Sequence, residues 1–346
     1  RSEQKTAYIR ALCRELTDRE AYLEGEHIET IYLGGGTPSQ LAKEDFEAIF
    51  SHIYKVYKVI PDAEITLEAN PDDLTPEYIS MLRTFPFNRI SMGIQTFQDS
   101  TLKLLQRRHT AEQAIRAFQN CRTAGFRNIS IDLMYGLPGE TLASWKEDLK
   151  QALALHPEHI SAYHLIYEEG TTLWQLREQH KLEEADEDLS VSLFGTLIDS
   201  LTAAGYEHYE ISNFAKPGYA SRHNLHYWNY DDFYGVGLGA SGKLSSFRYD
   251  NTRNFQEYFK GHWIGETIEL SRRDQMFERV MMNLRTARGL SLADFEQKFG
   301  LSLSEVYPDA VQKGIRQGWL RMTEDRLVPS EAGMALLNTV LEEFLD

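Results

Sequence analysis

Six short stretches hold the residues with chemistry to offer. The first, "IETIYLGGGTPSQL" (Ile28 to Leu41), ends an apolar run in Gly34, Gly35 and Gly36 followed by Thr37. Bare glycines let backbone N–H groups approach a ligand closely, yet the stretch fits neither the G-x-G-x-x-G dinucleotide fingerprint nor the G-x-x-x-x-G-K-[ST] phosphate loop. Downstream come "LEANP" with Glu68 and Asn70, "SMGIQTF" with Gln95, "LLQRRH" with Arg107 and "IDLMYGLPGET" with Asp132. A ligand carrying an ammonium, a carboxylate and a ribose needs this mixture: Glu68 or backbone carbonyls for the cation, Arg107 for the anion, Asp132 or Gln95 for hydroxyls. The competing reading is structural. Glu68, Gln95 and Asp132 would then satisfy one another across the mouth of the fold, and the glycine run would be a tight strand-to-helix turn with Thr37 or Ser39 as N-cap and Pro38 in the first helical turn.

The sixth stretch is "HNLHYW" (His223 to Trp228). A zinc site on His223 and His226 has little support, because no further ligand pattern accompanies the pair and the segment does not read clearly as helix. A purely structural reading packs an aromatic loop with hydrogen-bonded histidines. A third reading is porphyrin binding: an imidazole as iron ligand, flat contact from Tyr227, Trp228, Tyr230, Phe233 and Tyr234, and Arg222 for a propionate.

The elements that must position these residues alternate from Ile28 to about Phe214. The strands are "IETIYL", "EITLEA", "RISMGIQ", "ISIDLMY", "ISAYHLIY" and "YEHYEIS", separated by amphipathic helical patterns such as "AEQAIRAFQNCRTAG" and "LSVSLFGTLIDSLTAAG", each closing on a C-capping glycine. Such alternation predicts a parallel sheet. The glycine run, Glu68, Asn70, Gln95, Asp132 and His164 all fall at or near the carboxyl ends of strands, the rim where barrel enzymes build their sites, so a (β/α) barrel or partial barrel is expected over an open doubly wound sheet. An aromatic and glycine-rich connecting region follows over residues 215–273. Residues 274–346 then read as helices, a hairpin "LRMTEDRLVPS" and a last helix, an order that predicts a small winged-helix-like domain. The expected division is therefore 1–214, 215–273 and 274–346.

A formal net charge of -16 over 346 residues repels polyphosphate, and the tail has an excess of acids and no basic recognition helix, so nucleic acid is not an expected partner. The two cysteines, Cys13 and Cys121, show no disulfide spacing and suit a reducing cytoplasm. No apolar run approaches the ~20 residues of a membrane span.

The series "GGGTP", "EANP", "GIQTF", "RRH" and "DLMYGLPGET", in this order and spacing, resembles the radical S-adenosylmethionine family, in its branch of oxygen-independent coproporphyrinogen III oxidase-like proteins. The resemblance runs from about Tyr8 to the tail. It implies a partial barrel of the radical S-adenosylmethionine type with a C-terminal α+β extension and a winged-helix-like domain, and two cofactors, S-adenosylmethionine and a [4Fe-4S] cluster. It also implies that Gly35, Gly36 and Thr37 face the methionyl end of S-adenosylmethionine, while Glu68, Gln95, Arg107 and Asp132 contact that cofactor or a second ligand beside it. The H-N-x-x-Y-W string is similar to the signature of heme chaperones in the same branch. That similarity implies heme as a ligand, with His223 the iron ligand and His226 in a variable slot.

The function implied is binding of heme and its delivery to an acceptor hemoprotein, such as a respiratory one, met by peripheral contact where it is membrane-bound. An oxygen-independent coproporphyrinogen III dehydrogenase, in which a deoxyadenosyl radical abstracts hydrogen from a propionate before decarboxylation, is the alternative. A non-catalytic interaction protein is a third. One departure from the family is severe: its C-x3-C-x2-C cluster loop, upstream of the glycine run, is absent, as is the strand before it, and Cys13 and Cys121 cannot replace the loop by spacing. The expectation is that the native protein has a further N-terminal segment, the alternative being a degenerate member of the family without redox chemistry; in either case the chain as written performs no radical chemistry.

Overall fold

The computed structural model describes residues 2–22 and 25–345. The largest sheet has seven strands: β1 (His27–Leu33), β2 (Lys58–Ala69), β3 (Arg89–Gln95), β4 (Ile129–Tyr135), β5 (His159–His164), β6 (Glu207–Glu210) and β7 (Asn213–Ala215), in the order β1-β2-β3-β4-β5-β7-β6. β2 to β5 pair in parallel, as the alternation predicts. The helices between them start on side-chain caps: Thr75, Thr110, Thr141 and Asp186 each accept a bond from a backbone N–H three residues on. Gly125 and Gly205, at φ +98° and +91°, turn the chain out of two of these helices. The sheet is open and curled, a half-barrel, which bears out the partial barrel.

The edge departs from expectation. "YEHYEIS" is not one further parallel strand: β6 ends at Glu210, the chain reverses, and β7 inserts antiparallel between β5 and β6. The reversal is held by the buried Glu210 carboxylate, which accepts from Ser212 N (2.8 Å) and Asn213 Nδ2 (2.5 Å). A local carboxylate turn of this kind leaves no period in the sequence.

One face of the sheet is apolar: Ile90, Met92 and Ile94 of β3, Ile129, Ile131 and Leu133 of β4, and Ile160 and Ala162 of β5 are buried. The opposite face is polar and also mostly covered. Thr66, Arg89, Ser91, Ser130, His159 and Ser161 all lie below a tenth exposed. The parallel register sets them side by side, Thr66 next to Arg89, Ser91 next to Ser130, Ser130 next to His159 and Asp132 next to Ser161. Parallel strands buried on both faces usually read as continuous apolar runs. Here a period of two survives because one face lines a polar interior.

The chain packs as two compact units, one of Ile31–Leu41 and Glu64–Ser221, the other of Arg1–Thr30, Ala42–Ala63 and Arg222–Asp346. The second unit holds two small antiparallel sheets. β8 (Ser241–Leu244), β9 (Phe247–Asn251) and β10 (Ile264–Glu269) form one; β11 (Leu290–Ser291), β12 (Leu320–Met322) and β13 (Arg326–Pro329) form the other, in the order β11-β13-β12. With helices Arg272–Asn283, Leu292–Phe299 and Pro308–Arg316, the last sheet makes the expected winged-helix-like arrangement, the hairpin β12–β13 being the wing. The final helix breaks at Leu336 into Glu331–Ala335 and Leu337–Glu342. In the same unit the first helix, Ser2–Arg19, brings a fully buried Glu15 to Arg19 (2.9 Å), Asn251 Nδ2 (2.6 Å), Gly237 N (2.8 Å) and the Tyr258 hydroxyl (2.5 Å). Four donors satisfy the carboxylate, the condition for burying it.

Candidate functional site

The glycine run leaves β1 and turns with Gly35 at φ +83°. Its three glycines have different reasons to lack a side chain. A Cβ on Gly34 would lie 2.6 Å from Glu68 Cδ, whereas one on Gly35 or Gly36 would meet nothing within 4 Å. Gly34 thus makes room for Glu68, and the open space lies beside Gly35, Gly36 and the exposed Thr37. The predicted helix start is replaced by a single 3-10 turn, Pro38–Gln40, with no side-chain cap from Thr37. Ser39 is turned inward instead, donating to Asp73 Oδ2 (2.7 Å) and accepting from Asn70 N (3.2 Å), because a carboxylate and a backbone N–H at the end of β2 and in the loop after it outcompete a local cap.

Glu68, at the end of β2, accepts from the Tyr32 hydroxyl (2.9 Å) and from Gly35 N (3.0 Å). Burial and the Glu68 charge raise the Tyr32 phenol above its usual range, so it stays a donor. A carboxylate has about four acceptor sites, so Glu68 retains capacity for an ammonium. Gln95 closes β3 at φ +73°, where the register between β3 and β4 slips by one residue. A non-glycine residue in that region is strained, and such strain collects at functional sites. Arg107 donates from one terminal nitrogen to Asn70 Oδ1 (3.3 Å) and Gly93 O (3.2 Å). A Cβ on Gly93 would sit 3.0 Å from that nitrogen and 3.2 Å from Gln95 Nε2, so Gly93 admits both side chains. Asp132 receives Ser91 Oγ at 3.3 Å; burial, with the nearby Glu68 charge second, pushes its carboxyl up to about 7.

Glu68, Gln95, Arg107 and Asp132, with Asn70 and the glycine run, share the carboxyl-terminal rim and polar face of one unit. His164 does not. It alternates onto the apolar face, where Nε2 meets Ser190 Oγ (2.9 Å) and the ring stands edge-on to Tyr135. The period-two count along "HISAYH" assigns it to that side. The same count, unused in the sequence reading, picks out Arg89 and His159. His159 is fully buried between Ser130 Oγ (2.7 Å) and the Tyr209 hydroxyl (2.6 Å), and burial, then Arg89, lowers its pKa well below the usual value. Arg89 Nε and Thr66 Oγ1 are buried with no partner among the described residues.

The donor set fits S-adenosylmethionine: a carboxylate for an ammonium, a guanidinium for a carboxylate, Asp132 and Gln95 for hydroxyls, and open space beside two glycines. It does not fit the [4Fe-4S] cluster. Cys13 lies buried on the first helix against Ala48 O; Cys121 lies wholly buried on Ala111–Thr123, its thiol pushed up to about 12 by burial. No group of three His, Cys, Asp or Glu suited to a metal occurs among the described residues.

In the other unit "HNLHYW" is a helix, Arg222–Trp228, contrary to the expected loop. Helical spacing puts His223 and Tyr227 on one face, and the His223 ring is bonded at both nitrogens: Nδ1 to Thr30 Oγ1 and Nε2 to the Tyr227 hydroxyl, each 2.7 Å. Tyr227 packs edge-on to Phe233, ring centroids 4.7 Å apart. Trp228 Nε1 is buried with no partner among the described residues, and the Arg285 guanidinium lies 4.5 Å over the ring. Arg222 donates to Asp62 O (2.7 Å). Tyr230 is buried, its hydroxyl on Glu278 (2.5 Å), and Tyr234 donates to Tyr22 O (3.0 Å), so both are less available as flat contact than their types suggested. His226 is held by Asp231 Oδ2 (2.8 Å) and Glu29 Oε2 (3.2 Å), and the Asp231 bond raises its pKa. The His223 imidazole is half-buried, stands edge-on to the Tyr227 ring and is engaged at both nitrogens.

A half-barrel with this rim is the architecture of radical S-adenosylmethionine proteins, and residues 12–152 match the family described as the Radical SAM superfamily, while residues 270–336 match the HemN C-terminal domain. The solved coproporphyrinogen III oxidase HemN of Escherichia coli, 22% identical, shares the fold with a TM-score of 0.83 over 99% of this chain and 84% of that one. The relatives named heme chaperone HemW are nearer in sequence. The Lactococcus lactis protein is 36% identical over 98% of this chain and 89% of its own length, and the Bacillus subtilis protein 34% over 99% and 92%. The chain belongs to the HemW family of radical S-adenosylmethionine proteins. No helix among the described residues is long and apolar enough to cross a membrane.

Proposed function

We propose that this protein binds heme through His223 and passes it to an acceptor hemoprotein. The observation that carries the reading is the H-N-x-x-Y-W helix, whose imidazole is oriented from both ring nitrogens and stands edge-on to the Tyr227 ring. The relatives named heme chaperone over nearly the whole chain support it. In this reading the rim of Gly35, Gly36, Thr37, Glu68, Gln95, Arg107 and Asp132 holds S-adenosylmethionine. When bound, that cofactor supplies a sulfonium and an amino-acid end; the chain's own part is to meet the ammonium with Glu68, the carboxylate with Arg107 and the ribose with Asp132 and Gln95. Residues 274–346 form the winged-helix-like part of the second unit. The protein works in the cytoplasm, where its two free, buried thiols stay reduced, and reaches a membrane-bound acceptor peripherally.

The test is a titration of ferric heme into the full chain, followed by mixing with an apo-hemoprotein. Saturable binding near one heme per chain, its loss in His223→Ala, and transfer to the acceptor are expected. Binding that His223→Ala leaves intact, or heme that never reaches the acceptor, would overturn the reading.

A further inference from the structure

We propose that the Tyr227 hydroxyl is a placeholder on His223 Nε2, which heme iron displaces on binding and which returns as heme leaves, while Thr30 holds the ring in place throughout. The inference rests on the assignment of His223 as the heme ligand made above.

A neutral imidazole has one N–H and one lone pair. Thr30 Oγ1 and the Tyr227 oxygen stand 2.7 Å from Nδ1 and Nε2, so no ring nitrogen is open to a metal until one of these bonds breaks. The two partners differ in how they can leave. Thr30 lies on β1, its short side chain carried by the sheet. Tyr227 sits one turn along the same helix as His223 and touches Phe233 and Trp228 edge-on, at 4.7 and 6.4 Å between ring centroids. Its phenol is carried on side-chain bonds that turn between rotamers without a change of backbone.

A metal-bound histidine generally keeps a hydrogen bond through its other ring N–H, which sets orientation and basicity. Thr30 fills that role if Nδ1–H donates to it, leaving the lone pair at Nε2 under the phenol. The exchange then balances simply. The Tyr227 O–H to Nε2 bond breaks, the phenol keeps its proton and bonds to water, and the Nε2 lone pair forms the bond to iron as a solvent ligand departs; no electron is transferred. For a carrier that must also release its cargo, a competing hydroxyl on the same helix weakens the bound state and caps the nitrogen after release.

Ferric heme titrations of the full chain, read by Soret absorbance, test this with Tyr227→Phe, Thr30→Val and His223→Ala. Circular dichroism melts check that each variant is folded. Phe keeps the ring and removes only the competitor, so Tyr227→Phe is expected to bind about five-fold tighter, with an unchanged axial-ligand spectrum and slower release. Thr30→Val is expected to bind several-fold more weakly, with a shifted iron–imidazole vibration in the reduced form. Unchanged or weaker binding in Tyr227→Phe, or loss of a phenolate-to-iron charge-transfer band in that variant, would overturn the proposal. If His223→Ala binds as the wild type does, the ligand assignment itself fails and the inference with it. Loss of binding in His223→Ala together with no gain in Tyr227→Phe removes the inference alone.

Discussion

Gly34 and Glu68 are in contact so close that a Cβ on the glycine would lie 2.6 Å from the carboxyl carbon and 2.7 Å from Oε2. The absent side chain is a condition for the carboxylate to reach Gly35 N and the Tyr32 hydroxyl. Gly34→Ala should therefore displace Glu68 and lower stability by about 1–3 kcal/mol. Gly36→Ala, with open space around it, should stay within about 0.5 kcal/mol of wild type but weaken S-adenosylmethionine binding. Thermal unfolding and calorimetric titration check the pair. Equal melting temperatures for the two variants would contradict the division of roles.

The Asp132 carboxyl is held at about 7, against an unfolded value of about 3.9. A raised carboxyl binds more protons folded than unfolded, so its stability contribution is fully present below about pH 4 and is lost as pH rises toward 7. Asp132→Asn removes that loss and should stabilise the protein more at pH 8 than at pH 4, by about 4 kcal/mol at most, read from denaturant melts at the two pH values. Glu140, also pushed up to about 7 by burial, adds the same trend to both proteins, so the difference between them is the readout. Parallel stability profiles for variant and wild type would refute the shift at Asp132.

Gln95 holds φ +73°, a region where a non-glycine residue is strained. Glycine adopts that conformation freely, so Gln95→Gly should gain up to about 1 kcal/mol of stability while losing about ten-fold in S-adenosylmethionine affinity. A melting scan with and without the cofactor separates the effects. A variant that is both less stable and fully competent to bind would show the strain to be incidental.

His226 sits between Asp231 and Glu29, with Arg222 on its own helix opposing protonation. Its pKa is raised, so this contact stabilises fully below about pH 6.5 and fades as pH rises through the higher folded value. His226→Gln should cost about 0.5–1 kcal/mol at pH 6 and little at pH 9. Denaturant melts at the two pH values decide it; an equal cost at both would mean packing rather than charge.

The local chemistry of this protein was legible in its sequence. Strand-helix alternation, capping threonines, C-terminal glycines and the polar ends of strands follow from backbone propensity and period, which act over a few residues, and they led to the half-barrel, the rim and the winged tail. What the tertiary structure decided lies between residues distant in the chain or on opposite faces of a strand. His164 left the rim because alternation turned it to the helices. Ser39 became a partner of Asp73 rather than a cap, and the last strand folded back around Glu210. The H-N-x-x-Y-W segment, which packing made a helix, acquired its geometry only when Thr30, 193 residues earlier, met His223. Propensity is local and weak; side-chain partners are set by which strands and helices end up adjacent, and that is decided by burial over the whole chain.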